Sequence, residues 1–522
     1  LVVSSVTEKL LCPCYSRGRE PVDWGEIQIA DRSSRNERVE VAPMKTVAGI
    51  ADKRSRLRVA RSMESEVTSV TSRSSALRFH APMRSRRWIP LGVLLLALVP
   101  SCNSLWHSYL EPCDPASPTC LALDASIPDL VPPTPTPQLV PSNGIDPAWF
   151  AEASGELSPT EDLLIDTDQG TVLTQNSKVP IPNVIHRKVA PVDCGASWPV
   201  GIGVFSFTRI HIPGGVTVRF TGSHAAALIA SGSITIEGLL DLRGGACTDP
   251  RCGGPGGFAG GHVRNPIRRG EGPGSGTEGY GIGGEGDEAG GGGAGACGKG
   301  GKGADAGSTY PGGVGGSTYL KDALIPLCGG SGGGAGGFGT TMGESGQRGG
   351  GGGGAIQIVS KQSVTVSSTS ASSSGIQVGG GGGQGDIGMN FNDGGGGGGS
   401  GGAILIEAPI ISILSGAVLA ANGGGGGGGY NNMQPTLHGE PGKLSSVAAV
   451  GGAGSRSSGG AGGASQGIQG SDATGPLMDG GGGGGGGVGR IRLNSLDGNV
   501  TINGTLSPPI GSCASVGRVT MR

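Results

Sequence analysis

Aromatic side chains are scarce, at 4% of 522 residues. Phe, Tyr and Trp supply much of the buried area of large interdigitated cores, so a core of the globular-enzyme kind is not expected. Basic charge is missing where most of the chain lies. Residues 1–101 hold 17 Lys and Arg against 10 Asp and Glu, and the remainder holds 21 against 30, a balance of −9. That disfavours a nucleic-acid partner held through phosphates. Glycine is plentiful but lacks a strict Gly-X-Y period, and unbroken runs exclude a collagen helix. No catalytic motif is complete, so no reaction can be read from the chain.

What is present is glycine in a particular arrangement. Only 15 of the 111 glycines precede position 244, leaving 96 in the last 279 residues. Pure runs at 349–354, 394–399, 423–429 and 480–487 lead into short apolar segments such as Ala355-Ile356-Gln357-Ile358 and Ala403-Ile404-Leu405-Ile406. Such runs read either as flexible linker or as ordered three-residue-per-turn chains lying side by side with hydrogen bonds between them. Their abutment on apolar strands at one phase favours order, since a linker has no reason to exclude Ser, Thr and Asn.

From Phe207 onward, apolar residues recur two apart: Ile210 and Ile212, Val216, Val218 and Phe220, Ile234 and Ile236, Leu240 and Leu242. Glycine stands at nearly every join, which indicates short β-strands with one face buried. Leu228, Ile356, Ile404 and Ile491 align as equivalent starts, separated by 128, 48 and 87 residues. Three strands then follow each start. The expected fold is all-β, a β-solenoid or parallel β-helix with long polyglycine excursions leaving one side of the stack. A β-sandwich with polyglycine layers is the alternative.

The N-terminal part reads as an address. The chain begins with Leu, and residues 1–82 are polar, rich in Arg and Ser and aperiodic; they are expected to be a non-native or disordered extension. Arg84, Arg86 and Arg87 precede an apolar segment at 88–99, too short to span a bilayer core of about 30 Å as a helix. The charge and length are those of a secretory signal at 83–101. Residues 102–160 form a linker, with ten prolines among the 36 residues from Pro112 to Pro147, stiff and extended. A β-rich head at 161–243 and a glycine-rich body at 244–522 complete the expected organisation.

Eight cysteines beyond Cys102 are candidate disulfide partners: Cys113, Cys120, Cys194, Cys247, Cys252, Cys297, Cys328 and Cys513. An even number in an exported chain fits up to four bridges. Cys247 and Cys252 with His262 form a weaker zinc alternative without a second pair. Asp166 and Asp168 start like a calcium loop, but Gly170 stands where a ligand belongs, so an Asp-Gly turn is expected. Residues 293–299 have the shape of a phosphate loop with Gly300 replacing its hydroxyl, and 300–305 match a single calcium nonapeptide. Glu237, Asp241, His211 and His224 are read as solvated strand residues rather than an acid–base set. No cofactor and no metal is expected.

The junction Leu98-Val99-Pro100-Ser101-Cys102 resembles a bacterial lipoprotein signal. The resemblance implies cleavage before Cys102 and lipidation of its thiol; Asn103 implies the outer membrane, while Pro100 departs from the usual pattern. The glycine texture of 244–522 resembles that of the PE-PGRS surface proteins of mycobacteria, without their Pro-Glu helical domain, and the layout resembles glycine-rich lipoproteins of myxobacteria. These resemblances imply a non-enzymatic, lipid-anchored surface protein in structural, adhesive or matrix contact, its partners the membrane and extracellular polysaccharide or other surface proteins. A carbohydrate-binding or carbohydrate-active solenoid is the alternative, and an ice-binding surface coat a third expectation.

Overall fold

Each apolar run is long enough for one side of a triangle and no longer, and glycine stands at several of the turns that follow, as at Gly214, Gly222, Gly232 and Gly238. The computed structural model describes residues 137–522 except 183, 196–198, 248–251, 263–267, 282–287, 338–345, 370–373, 386–392, 430–435, 456 and 476–479. The chain divides into two units, Leu1–Asp124 and Ala125–Arg522, and all described residues lie in the second. Cys102, Cys113, Cys120, the signal segment and most of the proline-rich linker therefore lie outside the described residues.

The elements are β1 (Leu139–Val140), α1 (Trp149–Glu152), β2 (Glu156–Leu157), β3 (Leu163–Asp166), β4 (Thr171–Thr174), β5 (Ile185–Val192) and β6 (Val200–Phe207). Regular coils follow, with β7 (Arg209–Ile212), β8 (Thr217–Thr221) and β9 (Ala225–Ala230), then β10 (Ile234–Ile236), β11 (Leu239–Asp241) and β12 (Ala355–Ser360). The pattern continues with β13 (Ser363–Val366), β14 (Gly375–Gln377) and β15 (Ala403–Glu407), then β16 (Ile410–Ile413), β17 (Val418–Ala420) and β18 (Arg490–Ser495). It ends with β19 (Thr501–Ile502), β20 (Thr505–Ser507), β21 (Ala514–Arg518) and β22 (Thr520–Met521).

Strands of equal rank stack into three sheets: β2-β7-β10-β13-β16-β19, β4-β3-β8-β11-β14-β17-β20 and β5-β6-β9-β12-β15-β18-β21. Pairing along each stack is parallel, apart from β3 with β4 and β5 with β6, which turn back antiparallel at the N-terminal end. This is a three-sided parallel β-solenoid. It runs unbroken through position 244, because β11 pairs with β14 and β9 with β12. The expected head and body are thus one solenoid. Ordered structure also begins earlier than Asp162, since β1 pairs with β22 and β2 with β7.

Inward side chains stack in columns along the axis. Ile356, Ile404 and Ile491 share one column as expected, but its first member is Ala226; Leu228 lies two residues on, in register with Ile358. The slip keeps the same face, because side chains alternate with period two. Similar columns run through Ile210, Ile234, Val364 and Ile411, and through Val218, Leu240, Ile376 and Leu419, all nearly fully buried.

The third sheet is buried on both faces, so β9, β12 and β15 are buried at every position instead of alternating, and are apolar apart from Gln357, Ser360 and Glu407. A second cluster covers its outer face, formed by Leu139, Ile145 and Phe150 from the N-terminal segment and Leu320, Leu324 and Leu327 from the first excursion. Within this layer Glu407 is almost fully buried. It accepts hydrogen bonds from Ser142 Oγ at 2.6 Å, the Ser142 amide at 3.0 Å, Gln357 Nε2 at 2.7 Å and Asn494 Nδ2 at 3.3 Å. One carboxylate thereby ties three successive coils to the segment that covers them.

All three long excursions leave after a strand of the second sheet (β11, β14, β17) and return into the third (β12, β15, β18). Their glycine runs are ordered. The segment 394–400 has three neighbours that take its amide protons: Gly395 and Gly398 donate to Gly481 and Gly484, Gly396 and Gly399 to Gln384 and Gly381, and Gly397 and Ser400 to Gly334 and Ser331. Three more segments donate to its carbonyls, through Gly291 and Ala294, through Gly350 and Gly353, and through Gly427 and Gly424. Every partner changes by three when the donor changes by three, as a three-residue-per-turn helix packed hexagonally requires. A Cβ on Gly396, Gly397 or Gly398 would lie 2.0, 2.0 or 2.2 Å from the carbonyl oxygen of Arg348, Gly292 or Gly424 respectively. All three faces are occupied by backbone, so only glycine fits.

Two disulfides fasten the first excursion to the solenoid: Cys194–Cys328 near its N-terminal end and Cys297–Cys513 near its last coil. Cys247–Cys252 closes a short loop within the excursion.

Candidate binding surface

A helix with three residues per turn presents its side chains in three directions, so its composition reports its position in a bundle. Where one direction faces water, every third residue is free to be something other than glycine. Edge segments show this: Lys299, Lys302 and Asp305; Pro311, Val314 and Ser317; Val447, Val450 and Ala453. Lys299, Lys302, Pro311, Val314, Ser317, Val447, Val450 and Ala453 are exposed and the glycines between them largely buried. The segments run out from the solenoid and back at about 3.1 Å per residue, so the seven residues 379–385 reach roughly 20 Å. At the end remote from the strands the described segment ends lie side by side: Ala289 donates to Tyr280, Gly337 to Ala289, Gly481 to Glu288 and Gly429 to Ser457. Many of the connecting residues lie outside the described residues.

At this remote end two tyrosines stack on the bundle edge. The rings of Tyr280 and Tyr310 are 5.8 Å apart between centroids and inclined by 15°. Tyr280 is 50% exposed and Val314, on the same edge segment as Tyr310, is 64% exposed. Sequence reading passed over this pair because the tyrosines are 30 positions apart; the available signal was the period of three.

The polar candidates are dispersed. Asp166 Oδ1 accepts the amides of Asp168 and Gln169, both at 2.8 Å, and Gly170 takes a φ of +73°, so the Asp-Gly stretch is a turn. Asp168 accepts the Ser223 amide at 2.9 Å, Ser223 Oγ at 3.0 Å and the His224 amide at 3.1 Å, and pairs with His224 Nδ1. Burial pushes the Asp168 carboxyl up, but the His224 and Ser223 hydrogen bonds outweigh it and hold it below the ordinary aspartate value. Ser223 Oγ lies 3.4 Å from the same His224 nitrogen that meets Asp168. A relay needs the two ring nitrogens to serve different partners, so this is no nucleophilic triad. His186, beside it, tilts against Phe205, and burial followed by the charge of Lys188 pushes its pKa down.

His211 Nε2 meets Glu237 Oε2 at 3.1 Å on the first sheet. Asp241, 5% exposed on the second, is held by Arg243 through two 2.9 Å hydrogen bonds and lies 3.6 Å from Arg219. Burial raises its pKa and the Arg243 contacts more than reverse that. Each carboxylate is taken up by a partner of its own: Asp168 by His224, Glu237 by His211 and Asp241 by Arg243. A groove of about 480 Å³ lies between Leu239, Arg243 and Gln377 on one side and Glu440, Lys443 and Leu444 on the other. Its outer wall is fixed by Asn422 Nδ2, which donates to the carbonyls of Lys443 and Ser445 at 2.8 and 2.7 Å.

The remaining motif candidates are absorbed by the fold. In the phosphate-loop lookalike, the amides of Ala294 and Gly295 donate to Gly398 and Gly274, and in the nonapeptide those of Gly300 and Gly301 donate to Gly316 and Gly485. Neither stretch has these donors to spare for a ligand. Cys247 and Cys252 are joined as a disulfide and offer no thiolate to zinc. Among the described residues no His, Cys, Asp and Glu group of three or more could hold a metal. The fold and its surface define a parallel β-solenoid carrying a polyglycine bundle. Comparison with family models, with curated proteins and with solved structures finds no match.

Proposed function

We propose that the chain is a non-enzymatic, lipid-anchored surface protein whose glycine bundle presents its far end for adhesive or matrix contact. In this reading Cys102 carries the lipid at the outer membrane, the proline-rich stretch is a spacer, and the rest is an exported, disulfide-braced body. The observation that carries it is the bundle: glycine segments held side by side by backbone hydrogen bonds, with their described ends gathered away from the strands. Loops held by a rigid scaffold are where binding concentrates, and three disulfides suit an oxidising compartment. An exposed tyrosine pair at that end favours the carbohydrate-binding form of the reading over a purely structural one.

The test uses producing cells. Radiolabelled palmitate and surface proteolysis, with and without Cys102→Ala, report anchoring and display; adhesion to matrix-coated surfaces is compared before and after deletion of the gene. Lipid incorporation, protease access and reduced adhesion on deletion are expected. A protein that takes no lipid and stays protected in intact cells sinks the reading, and saturable turnover of any polysaccharide overturns its non-enzymatic part.

A further inference from the structure

The bundle interior admits nothing larger than side chains such as Ala294, Ser331 and Ala335, so a tyrosine ring among its segments stands on an edge. Only six tyrosines occur in 522 residues, and two of them meet here from separate segments. The segments are antiparallel neighbours: the Tyr280 amide donates to Pro311 O at 3.2 Å, the Thr277 amide to Val314 O at 3.1 Å and the Val314 amide to Thr277 Oγ1 at 2.7 Å. Tyr280 O accepts the Ala289 amide at 2.9 Å, and Ala306 and Tyr310 exchange backbone hydrogen bonds. Asp305 Oδ1 closes the turn before Tyr310 by accepting the Gly312 amide at 2.7 Å and pairing with Lys302 at 2.7 Å. The backbone beneath both rings is thus pinned on each side.

Hydrophobic burial does not account for the pair, because Tyr280 keeps half of its surface open. The rings are near parallel with centroids 5.8 Å apart, too close to admit a third ring between them; a ligand stacks on the outside. Val314 is exposed on the same segment as Tyr310, and Glu278, Ser308 and Thr309 are exposed within two positions of the two tyrosines in sequence. A flat aromatic face on segments that also expose hydroxyls and a carboxylate suits a pyranose, whose axial C–H bonds pack on the ring while its hydroxyls face polar groups. Two pinned aromatic side chains also lose little entropy on binding. The acidic balance of the distal part, 21 basic against 30 acidic residues, repels a polyanion.

We propose that Tyr280 and Tyr310 form a binding platform for a pyranose unit of a neutral polysaccharide. The proposal rests on the surface-contact reading above and deepens it. It is tested by affinity electrophoresis of the full chain, anchor removed, in native gels containing a β-glucan, an α-glucan or a mannan, with saturation-transfer NMR on soluble oligosaccharides of whichever gel retards it. Tyr280→Phe keeps the flat ring and should bind as the parent does. Tyr280→Leu keeps apolar area without a flat face and should weaken binding about tenfold, as should Tyr310→Ala. Circular dichroism reports folding, and Tyr280→Leu serves if Tyr310→Ala does not fold. Absence of retardation in all three gels overturns the platform, and so does equal retardation of the parent and Tyr280→Leu. Because anchoring, display and adhesion are measured separately on cells, the platform can fail while the surface-contact reading stands.

Discussion

Gly397→Ala tests the packing of the glycine bundle directly, and Gly467→Ala supplies its control. A Cβ at 397 would sit 2.0 Å from Gly292 O and 2.4 Å from Gly292 C, so the neighbouring segment must move by more than 1 Å to restore ordinary contact of about 3.4–4 Å. Gly292 is itself held, donating to Thr277 O at 2.8 Å. Overpacking of this kind costs about 1–3 kcal/mol. The shift also strains the 2.8 Å hydrogen bonds from Gly397 to Gly334 and from Gly350 to Gly397, each buried and worth about 1–3 kcal/mol if left unmade. Against this stands about 0.4–1 kcal/mol gained by restricting the unfolded chain. The low ends of these ranges leave a net loss of about 2 kcal/mol and their middles about 5, roughly thirtyfold to several thousandfold in the local opening equilibrium. Gly467 is exposed, has a φ outside the left-handed region and has nothing within 4 Å of a built Cβ, so only the unfolded-state gain applies. Hydrogen exchange by mass spectrometry reads both. Peptides covering 394–402 should be protected in the parent, lose about two orders of magnitude of protection in Gly397→Ala, and stay as protected in Gly467→Ala. Parent peptides that exchange at the rate of an unstructured chain, or two variants that behave alike, would refute the reasoning.

Glu407→Ala should destabilise by about 3 kcal/mol, because Ser142, Gln357 and Asn494 lose a buried acceptor; denaturant melts measure the loss, and limited proteolysis should release the 137–153 segment first. Ser pairs replacing Cys194–Cys328 or Cys297–Cys513, which span 134 and 216 residues, should each cost up to about 5 kcal/mol on the loop-closure account, against about 2 kcal/mol for Cys247–Cys252. Acid should destabilise the protein over two pH windows, each read as a fall in Tm in thermal melts across pH. The folded pKa of His186 lies below its ordinary 6.5, so the unfolded chain binds that proton more readily and stability falls as pH drops through 6.5; His186→Phe should remove that step. Asp168 and Asp241 sit below 3.8 when folded, so their contribution is complete above that value and disappears as pH falls through it; Asp241→Asn should flatten the acid limb.

The solenoid was legible because Ile210, Ile212, Val218 and Phe220 alternate on short strands and a three-strand rhythm recurs after Ile356, Ile404 and Ile491. Its phase was less so. Ala226 and Leu228 both point inward, and an alanine beside a leucine gives the eye no reason to choose the smaller residue as the partner of Ile356. The N-terminal strap at 139–157 was hidden by its brevity, since β1 and β2 have two residues each and take their order from strands far away in the chain. Glu407 looked like a polar residue ending an apolar run; its burial depends on Ser142, 265 positions earlier. Cysteine number was informative and cysteine pairing was not, because the excursion that brings Cys297 to Cys513 is organised by backbone hydrogen bonds that glycine sequence does not address.

Glycine content therefore encodes position rather than flexibility in this chain. A run with no side chain at any of three successive positions has a neighbour on every face, as 394–399 does, and a run broken every third residue lies on an edge, as Pro311, Val314 and Ser317 show. The entropy lost on ordering so much glycine is offset by an amide and a carbonyl satisfied at nearly every residue and by anchoring of each segment to an apolar strand. Because that balance has no side-chain packing in it, the outermost segments are free to vary at one position in three without disturbing the interior. Binding chemistry can then change along the edges, and at the remote end where the edges converge, while the scaffold stays the same.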